Sequence, residues 1–157
     1  MIKSINHVAL SVSNLDRAIE FYRDALGMGF VVRTPFAGDE YEAVLGLEGA
    51  QGQVALLRLG EVHIELFEFE RPKPGPLDPN YPVSDHGISH FCLEVTDIQG
   101  EYERLKAAGA RFHCPPQHFF GTAIATYGRD PDGNVFELLQ MNESANESKE
   151  FGSDTGT

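Results

Sequence analysis

The chain has 157 residues, which suffices for one domain or for two small fused modules. Its formal net charge of −12 argues against a nucleic-acid partner, because phosphate would be repelled. No apolar run approaches the ~20 residues of a membrane span, and MIKSINHVAL lacks the apolar stretch of a secretory signal, so we expect a cytoplasmic protein. Cys92 and Cys114 form no CxxC pair, so we expect free thiols and no cysteine-ligated zinc.

The first half of the sequence predicts a strand, a helix and further strands. INHVALSV alternates as a strand does, and Asn14 can cap a helix in LDRAIEFYRDAL that ends at Gly27. GFVVRTPF predicts a strand whose Pro35 suits a sheet edge or a strand end. EAVLGLEGA predicts a helical turn, with a strand as the alternative. QVALLRL and EVHIELFEF predict two strands joined by a tight turn. The five prolines of RPKPGPLDPNYPVSDHG then predict a semi-rigid linker.

The second half repeats this order. GISHFCLEV predicts a strand, Asp97 can cap a helix in IQGEYERLKAAG, and strands follow in ARFHC, TAIATYG and VFELLQM. NHVALSV parallels SHFCLEV, and HIELFEF parallels NVFELLQ, which indicates a duplicated unit. The predicted organisation is a first module, a proline-rich linker, a second module and a disordered acidic tail, at residues 1–70, 71–86, 87–142 and 143–157.

Four of the predicted strands each contain one residue that can ligate a divalent metal. These residues are His7, Glu65, His90 and Glu137. In each strand the alternation directs apolar neighbours to the helix layer and the candidate ligand to the opposite face. Two His and two Glu can surround one ion and leave positions open for substrate. The set favours a metal-dependent enzyme, and its N/O donors suit Ni, Co, Mn, Zn or Fe(II).

Four segments, INHVALSVSNLDRAIEFYRDALGMGF, HIELFEF, GISHFCLEV and DPDGNVFELLQ, carry a family resemblance. The chain resembles the vicinal oxygen chelate superfamily, which includes glyoxalase I, methylmalonyl-CoA epimerase, extradiol dioxygenases and the bleomycin- and fosfomycin-resistance proteins. Within it the chain looks most like the glyoxalase I-like metalloenzymes. The resemblance implies an α+β fold in which two βαβββ modules form a cupped, incomplete barrel around one ion held by the four residues. It also implies a homodimer, and it leaves open whether the site forms within one chain or between chains.

The ligand set and the resemblance together predict an isomerase, an epimerase or a glyoxalase-type lyase that acts on a small molecule. An ion chelated by adjacent substrate oxygens stabilises an enediolate or enolate, while a carboxylate moves the proton next to the carbonyl. By resemblance Glu137 is the base and Glu65 its partner. Two alternatives remain. One is an Fe(II) extradiol-type dioxygenase, although Glu65 would take a coordination position that oxygen needs. The other is a non-catalytic drug-binding or resistance protein.

Four further residues are candidates for substrate contacts: Arg33, His63, Phe67 and Tyr127. Arg33 lies in a segment similar to one in which an arginine of glyoxalase I meets the glutathione carboxylate; the alternative is a solvated strand arginine. His63 and Phe67 share the predicted face of Glu65, where Phe67 serves either a cavity wall or ordinary packing. Tyr127 precedes the turn DPDGN and could hydrogen-bond substrate. Three other histidines are interpreted as surface residues: His86, His113 and His118.

Overall fold

The computed structural model describes residues 1–75 and 78–142. The predicted tail, 143–157, lies outside the described residues, and so do Pro76 and Leu77 of the predicted linker. Within the described ranges no helix is both long enough and apolar enough to cross a membrane.

The chain forms two compact units. Unit 1 comprises Met1–Tyr81 together with Pro131–Asn134, and unit 2 comprises Pro82–Asp130 together with the described residues from Val135 onward. The first part of the proline-rich segment therefore belongs to unit 1. The turn that joins the last two strands belongs to unit 1 as well.

Unit 1 is built on a four-stranded sheet. Its elements are β1 (His7–Ser11), α1 (Leu15–Glu20, continued by a π-helical turn at Phe21–Ala25), β2 (Gly29–Ala37), α2 (Asp39–Leu45), β3 (Gln51–Leu59) and β4 (Val62–Arg71). The strand order is β1-β4-β3-β2, in which β1 and β4 are parallel and the other pairs antiparallel. The edge position of β2 tolerates Pro35, which has no N–H to donate, as predicted.

The α1 helix begins and packs as the sequence predicts. The Asn14 side chain accepts a hydrogen bond from the Arg17 N–H at 2.9 Å, and Glu68 Oε2 accepts one from the Leu15 N–H at 2.9 Å. Two donors of the first turn are thereby satisfied. Gly27 follows the helix with φ +72°, a conformation that favours glycine. The buried apolar residues on α1 with its π-helical turn, β3 and β4 include Leu15, Ala18, Ile19, Tyr22, Ala55, Leu57, Ile64 and Leu66.

Unit 2 repeats the order around a second sheet. Its elements are β5 (Phe91–Glu94), α3 (Ile98–Ala107), β6 (Arg111–Phe112), β7 (Gln117–Phe119), β8 (Ala123–Arg129) and β9 (Val135–Met141). β5 is parallel to β9, β9 is antiparallel to β8, and both β6 and β7 pair with β8. Asp97 accepts from the Gly100 N–H at 3.0 Å and Gln140 from the Ile98 N–H at 2.8 Å. These contacts match those at the start of α1, so the two units are structural repeats.

The α+β class predicted from the sequence is confirmed, because each unit combines α-helix with a mainly antiparallel sheet. Neither described sheet closes on itself. Three local predictions need correction. The helical turn predicted in EAVLGLEGA belongs to a helix, α2, that begins earlier, at Asp39. His90 precedes β5 rather than lying within it. The sequence predicts no strand at Gln117–Phe119, because Pro115 and Pro116 conceal it, yet these residues form β7.

Candidate functional site

In unit 1 two of the predicted ligands lie on one face of the sheet. Ile64 and Leu66 are buried on the side of α1, so the intervening Glu65 points from the opposite face. His7 Nε2 lies 3.6 Å from Glu65 Oε2. Nδ1 of His7 is 3.0 Å from Asn6 Oδ1, which can only accept, so Nδ1 donates there and Nε2 is the ring nitrogen that faces Glu65.

Unit 2 holds the corresponding pair. Phe136 and Leu138 are buried on the side of α3, which leaves Glu137 on the opposite face. His90 Nε2 lies 3.2 Å from Glu137 Oε2. The residue before this histidine again engages Nδ1, because Ser89 Oγ is 2.9 Å from it. In both units a polar neighbour therefore orients the imidazole with Nε2 toward the carboxylate.

Each His–Glu pair fits part of a metal site. A neutral imidazole nitrogen and a carboxylate oxygen are suitable donors for a divalent transition metal. Across residues 1–75 and 78–142, however, no three His, Cys, Asp or Glu side chains form a group that could hold an ion. The structure thus presents the predicted ligands as two pairs, and the four-ligand site stays a prediction.

A cavity of about 360 Å³ lies in unit 2 and reaches Glu137. Its polar lining includes His113, Gln117, Tyr127 and Glu137, while alanine, leucine and phenylalanine side chains of β7, β8 and β9 form an apolar wall. The described residues that line it include no Lys and no Arg. A small, uncharged molecule therefore suits this space better than an anion does.

Tyr127 lies beside the unit 2 pair. It is the register partner of Glu137 across β8 and β9, and its ring centroid is 4.6 Å from that of His90. Burial, and then the charge of Glu137, raise the pKa of Tyr127, so the phenol keeps its proton at neutral pH. The predicted hydrogen-bonding residue is thus a donor at the wall of the cavity.

Cys92 also lies next to Glu137, a placement that the sequence interpretation missed. The two residues are register partners across β5 and β9. Burial of part of the side chain, followed by the Glu137 carboxylate, raises the pKa of Cys92 to about 12, so the group is a thiol and a poor nucleophile. The signal was available, because Cys92 is two residues after His90 and alternation places both on one face.

The sequence profile described as the Glyoxalase/Bleomycin resistance protein/Dioxygenase superfamily matches residues 4–138. The chain belongs to this superfamily. It is 31% identical over 147 residues to a 2-epi-5-epi-valiolone epimerase of Actinomyces sp, covering 88% of this chain and 79% of that protein. It is 27% identical over 140 residues to a lactoylglutathione lyase of Arabidopsis thaliana, covering 85% of this chain but only 43% of that protein. A glyoxalase family protein of Bacillus cereus shares the fold, with a TM-score of 0.82 at 24% identity over 90% of this chain and 95% of that one.

Arg33 lies on the side of its sheet that faces α1. Its register partner Ala55 is fully buried, and its Nη1 is 2.5 Å from Asp16 Oδ1 on α1. The guanidinium therefore pairs with the start of α1 on the face opposite Glu65. Arg33 is exposed, which agrees with the alternative of a solvated strand arginine, and it provides no carboxylate-binding group next to the His–Glu pair.

His63 and Phe67 do share the face of Glu65. His63 is the register partner of His7, and its buried Nδ1 has no hydrogen-bond partner among the described residues. Phe67 packs against Phe36 and Phe69, with ring centroids 5.3 and 5.6 Å away. The Phe67 ring is therefore part of an aromatic cluster within unit 1.

Proposed function

We propose that this protein is a divalent-metal-dependent isomerase or epimerase, which moves a proton at the carbon next to a carbonyl of a small, uncharged hydroxycarbonyl compound. The observation that carries the proposal is the His90–Glu137 pair, 3.2 Å apart, at a cavity with Tyr127 and without Lys or Arg in its lining. The relatives named as an epimerase and a lactoylglutathione lyase support this class of chemistry. A glyoxalase-type lyase is the second reaction of the same class.

Four residues would hold the ion in this proposal: His7, Glu65, His90 and Glu137. The donor chemistry of the two pairs supports this assignment, because each imidazole offers Nε2 beside a carboxylate. A bound divalent ion would supply a Lewis acid for adjacent substrate oxygens. We further propose that the protein works as a homodimer.

Glu137 is the proposed general base. Its carboxylate takes the proton from the carbon next to the carbonyl, and Tyr127, which keeps its own proton, donates a hydrogen bond to oxygen as negative charge develops there. Glu65 is the proposed second acid–base group, which returns a proton to the carbon. Return to the face from which the proton left regenerates the substrate, whereas return to the other face gives the epimer.

The substrate is proposed to be uncharged rather than a glutathione conjugate. A conjugate carries carboxylates that need cationic partners. Arg33, the predicted partner of such a group, is paired with Asp16, and the described residues that line the cavity include no Lys or Arg. A cavity of about 360 Å³ with an apolar wall and a few polar groups suits a compact hydroxyketone.

The experiment is deuterium exchange into a simple hydroxyketone. Protein loaded with Ni, Co, Mn or Zn is incubated with 2-hydroxycyclohexanone in D₂O, and loss of the C2–H signal is followed by ¹H NMR. We expect exchange that requires metal, that Glu137→Gln reduces at least 100-fold, and that the matched surface variant Glu103→Gln leaves unchanged. The lyase is assayed with methylglyoxal and glutathione. Absence of both activities for every metal would overturn the proposal.

The same preparations separate the other two function classes. Oxygen uptake with catechols by iron-loaded protein would indicate a ring-cleaving dioxygenase. Ligand binding without any turnover, unchanged in Glu137→Gln, would indicate a binding or resistance protein. Either result, obtained without deuterium exchange, would contradict the proton-transfer proposal.

A further inference from the structure

His113 lies at the break between β6 and β7 and lines the unit 2 cavity with Tyr127 and Glu137. Its backbone N–H donates to the Tyr127 carbonyl at 3.0 Å, and the two rings lie 6.1 Å apart between centroids. The histidine is thus attached to β8 although it lies outside any strand. His113 is exposed to solvent and at the same time lines this cavity.

Arg129 determines the orientation and tautomer of this ring. The arginine is only 5% exposed, and its Nε donates to His113 Nε2 at 3.0 Å. A guanidinium has donors only, so Nε2 must accept and the ring proton lies on Nδ1. Burial, and then the charge of Arg129, lower the pKa of His113, which keeps the ring neutral. Within the described part of the chain, the side chain that hydrogen-bonds this imidazole is that of Arg129.

We propose that the Nδ1–H of His113 is a substrate-binding donor. It donates a hydrogen bond, in the unit 2 cavity, to a hydroxyl, ether or ketone oxygen of a neutral compound. The assignment rests on the proposed function in one respect, namely that the molecule bound is the substrate whose proton Glu137 moves. Arg129 is a positioning residue that acts through the histidine. It holds Nε2 as an acceptor so that the opposite nitrogen donates.

The polar groups of the cavity fit such a ligand. His113 and Tyr127 are uncharged donors, and Glu137 is an acceptor, so the lining can bind several oxygens of one molecule. In the metal-free protein an anion would meet the Glu137 carboxylate, and the described lining residues include no Lys or Arg to offset it. A hydrocarbon would leave the imidazole N–H without a partner, which a site built for hydrogen bonding penalises strongly.

The test uses metal-free protein, three variants and 2-hydroxycyclohexanone as the probe. His113→Leu removes the donor, and His113→Gln retains an amide that can accept from Arg129 and still donate. His118→Leu is the matched control, because His118 alternates with the cavity-lining Gln117 and Phe119 on β7. Binding is measured by ¹H NMR titration, and the His113 tautomer at pH 7 by long-range ¹H–¹⁵N correlation.

We expect the Nδ1–H tautomer, a loss of at least tenfold in probe affinity for His113→Leu, and a change below threefold for the other two variants. An Nε2–H or doubly protonated ring, or equal affinity in His113→Leu and His118→Leu, would overturn the proposal. Failure of the wild-type protein to bind the probe up to its solubility limit would overturn the ligand class. These readouts need neither metal nor turnover, so they stay separate from an absence of proton exchange in the metal-loaded enzyme.

Discussion

The two units carry the same His–Glu pair but differ at the edge of the sheet. In unit 1, β2 pairs with β3 from Gly29 to Ala37, with one bulge. In unit 2 the matching edge is divided into β6 and β7, which both pair with β8. Pro115 and Pro116 lie in the gap and lack the N–H groups that a continuous ladder requires. The break leaves His113 at the rim of the cavity instead of within a strand.

The side chains on the ligand-bearing faces differ as well. In unit 1 the face is filled beyond Glu65 by Phe36, Phe67 and Phe69, with Tyr41 of α2 against Phe36 at 5.4 Å. In unit 2, Leu139 of β9 stands where Phe67 stands, Ala123 and Ala125 of β8 line the face beside it, and the cavity remains. Leu56 is the partner of Glu65, whereas Tyr127 is the partner of Glu137. Both copies of the module thus retain a potential metal pair, and the pair of unit 2 lies at a cavity with hydrogen-bonding groups.

The largest effect that distinguishes the units should come from their two carboxylates. We expect Glu137→Gln to reduce deuterium exchange into 2-hydroxycyclohexanone by about 10³-fold, because a positioned base contributes on the order of 10²–10⁴. Glu65→Gln should retain part of the exchange while losing the inversion of configuration, which chiral chromatography of the product measures. Equal losses of exchange in the two variants would contradict the division of roles.

The next largest effect concerns metal content. Protein purified without chelators or a metal-affinity column should contain about one Ni, Co, Mn or Zn ion per chain by elemental analysis, since the four donors are proposed to act together. His7→Ala and His90→Ala should each weaken binding at least tenfold, although they lie in different units. His86→Ala provides a control outside both pairs. Retention of full metal content in both ligand variants would contradict a shared site.

Truncating Phe36 tests whether the aromatic cluster on the ligand-bearing face of unit 1 contributes to stability. Phe36 is 1% exposed, so Phe36→Ala should lower the free energy of unfolding by about 3–5 kcal/mol, measured by urea denaturation. Phe119 occupies the matching position at the unit 2 cavity and is 47% exposed. Phe119→Ala should therefore cost much less. A similar cost at both positions would mean that the two faces are packed alike.

Placing a phenylalanine, as at Phe67 of unit 1, at the matching position of unit 2 should reduce binding of 2-hydroxycyclohexanone with little effect on the free energy of unfolding. Leu139 stands in β9 where Phe67 stands in β4, and it lines the cavity. We expect Leu139→Phe to weaken binding of 2-hydroxycyclohexanone several-fold by filling the space. The change in stability should stay below about 1.5 kcal/mol, because the open cavity accommodates the ring. Leu139→Met is the volume-matched control, and unaltered binding in the Phe variant would place the probe elsewhere.

Sequence alternation located the ligand faces because an apolar residue that packs toward the helix stands on each side of Glu65 and of Glu137. Arg33 was suggested by the resemblance and not by alternation. Its strand carries a bulge between Phe30 and Val32, after which Arg33 pairs with Ala55 on the helix side. His113 is exposed, as a surface histidine is, and it also lines the unit 2 cavity. Its role depends on a contact with Arg129 that no local pattern encodes.

The smallest expected effect is the titration of His113. Burial and Arg129 lower its pKa from the ordinary value near 6.5, so the folded protein binds fewer protons than the unfolded chain between the two values. Stability therefore rises with pH through that window, and this contribution is lost as pH falls through the folded pKa. The C2–H resonance, assigned by its absence in His113→Leu, should titrate at lower pH in the native protein than in urea. A native titration at or above the unfolded value would show that Arg129 does not hold the ring neutral, and the difference between the two units would then rest on packing alone.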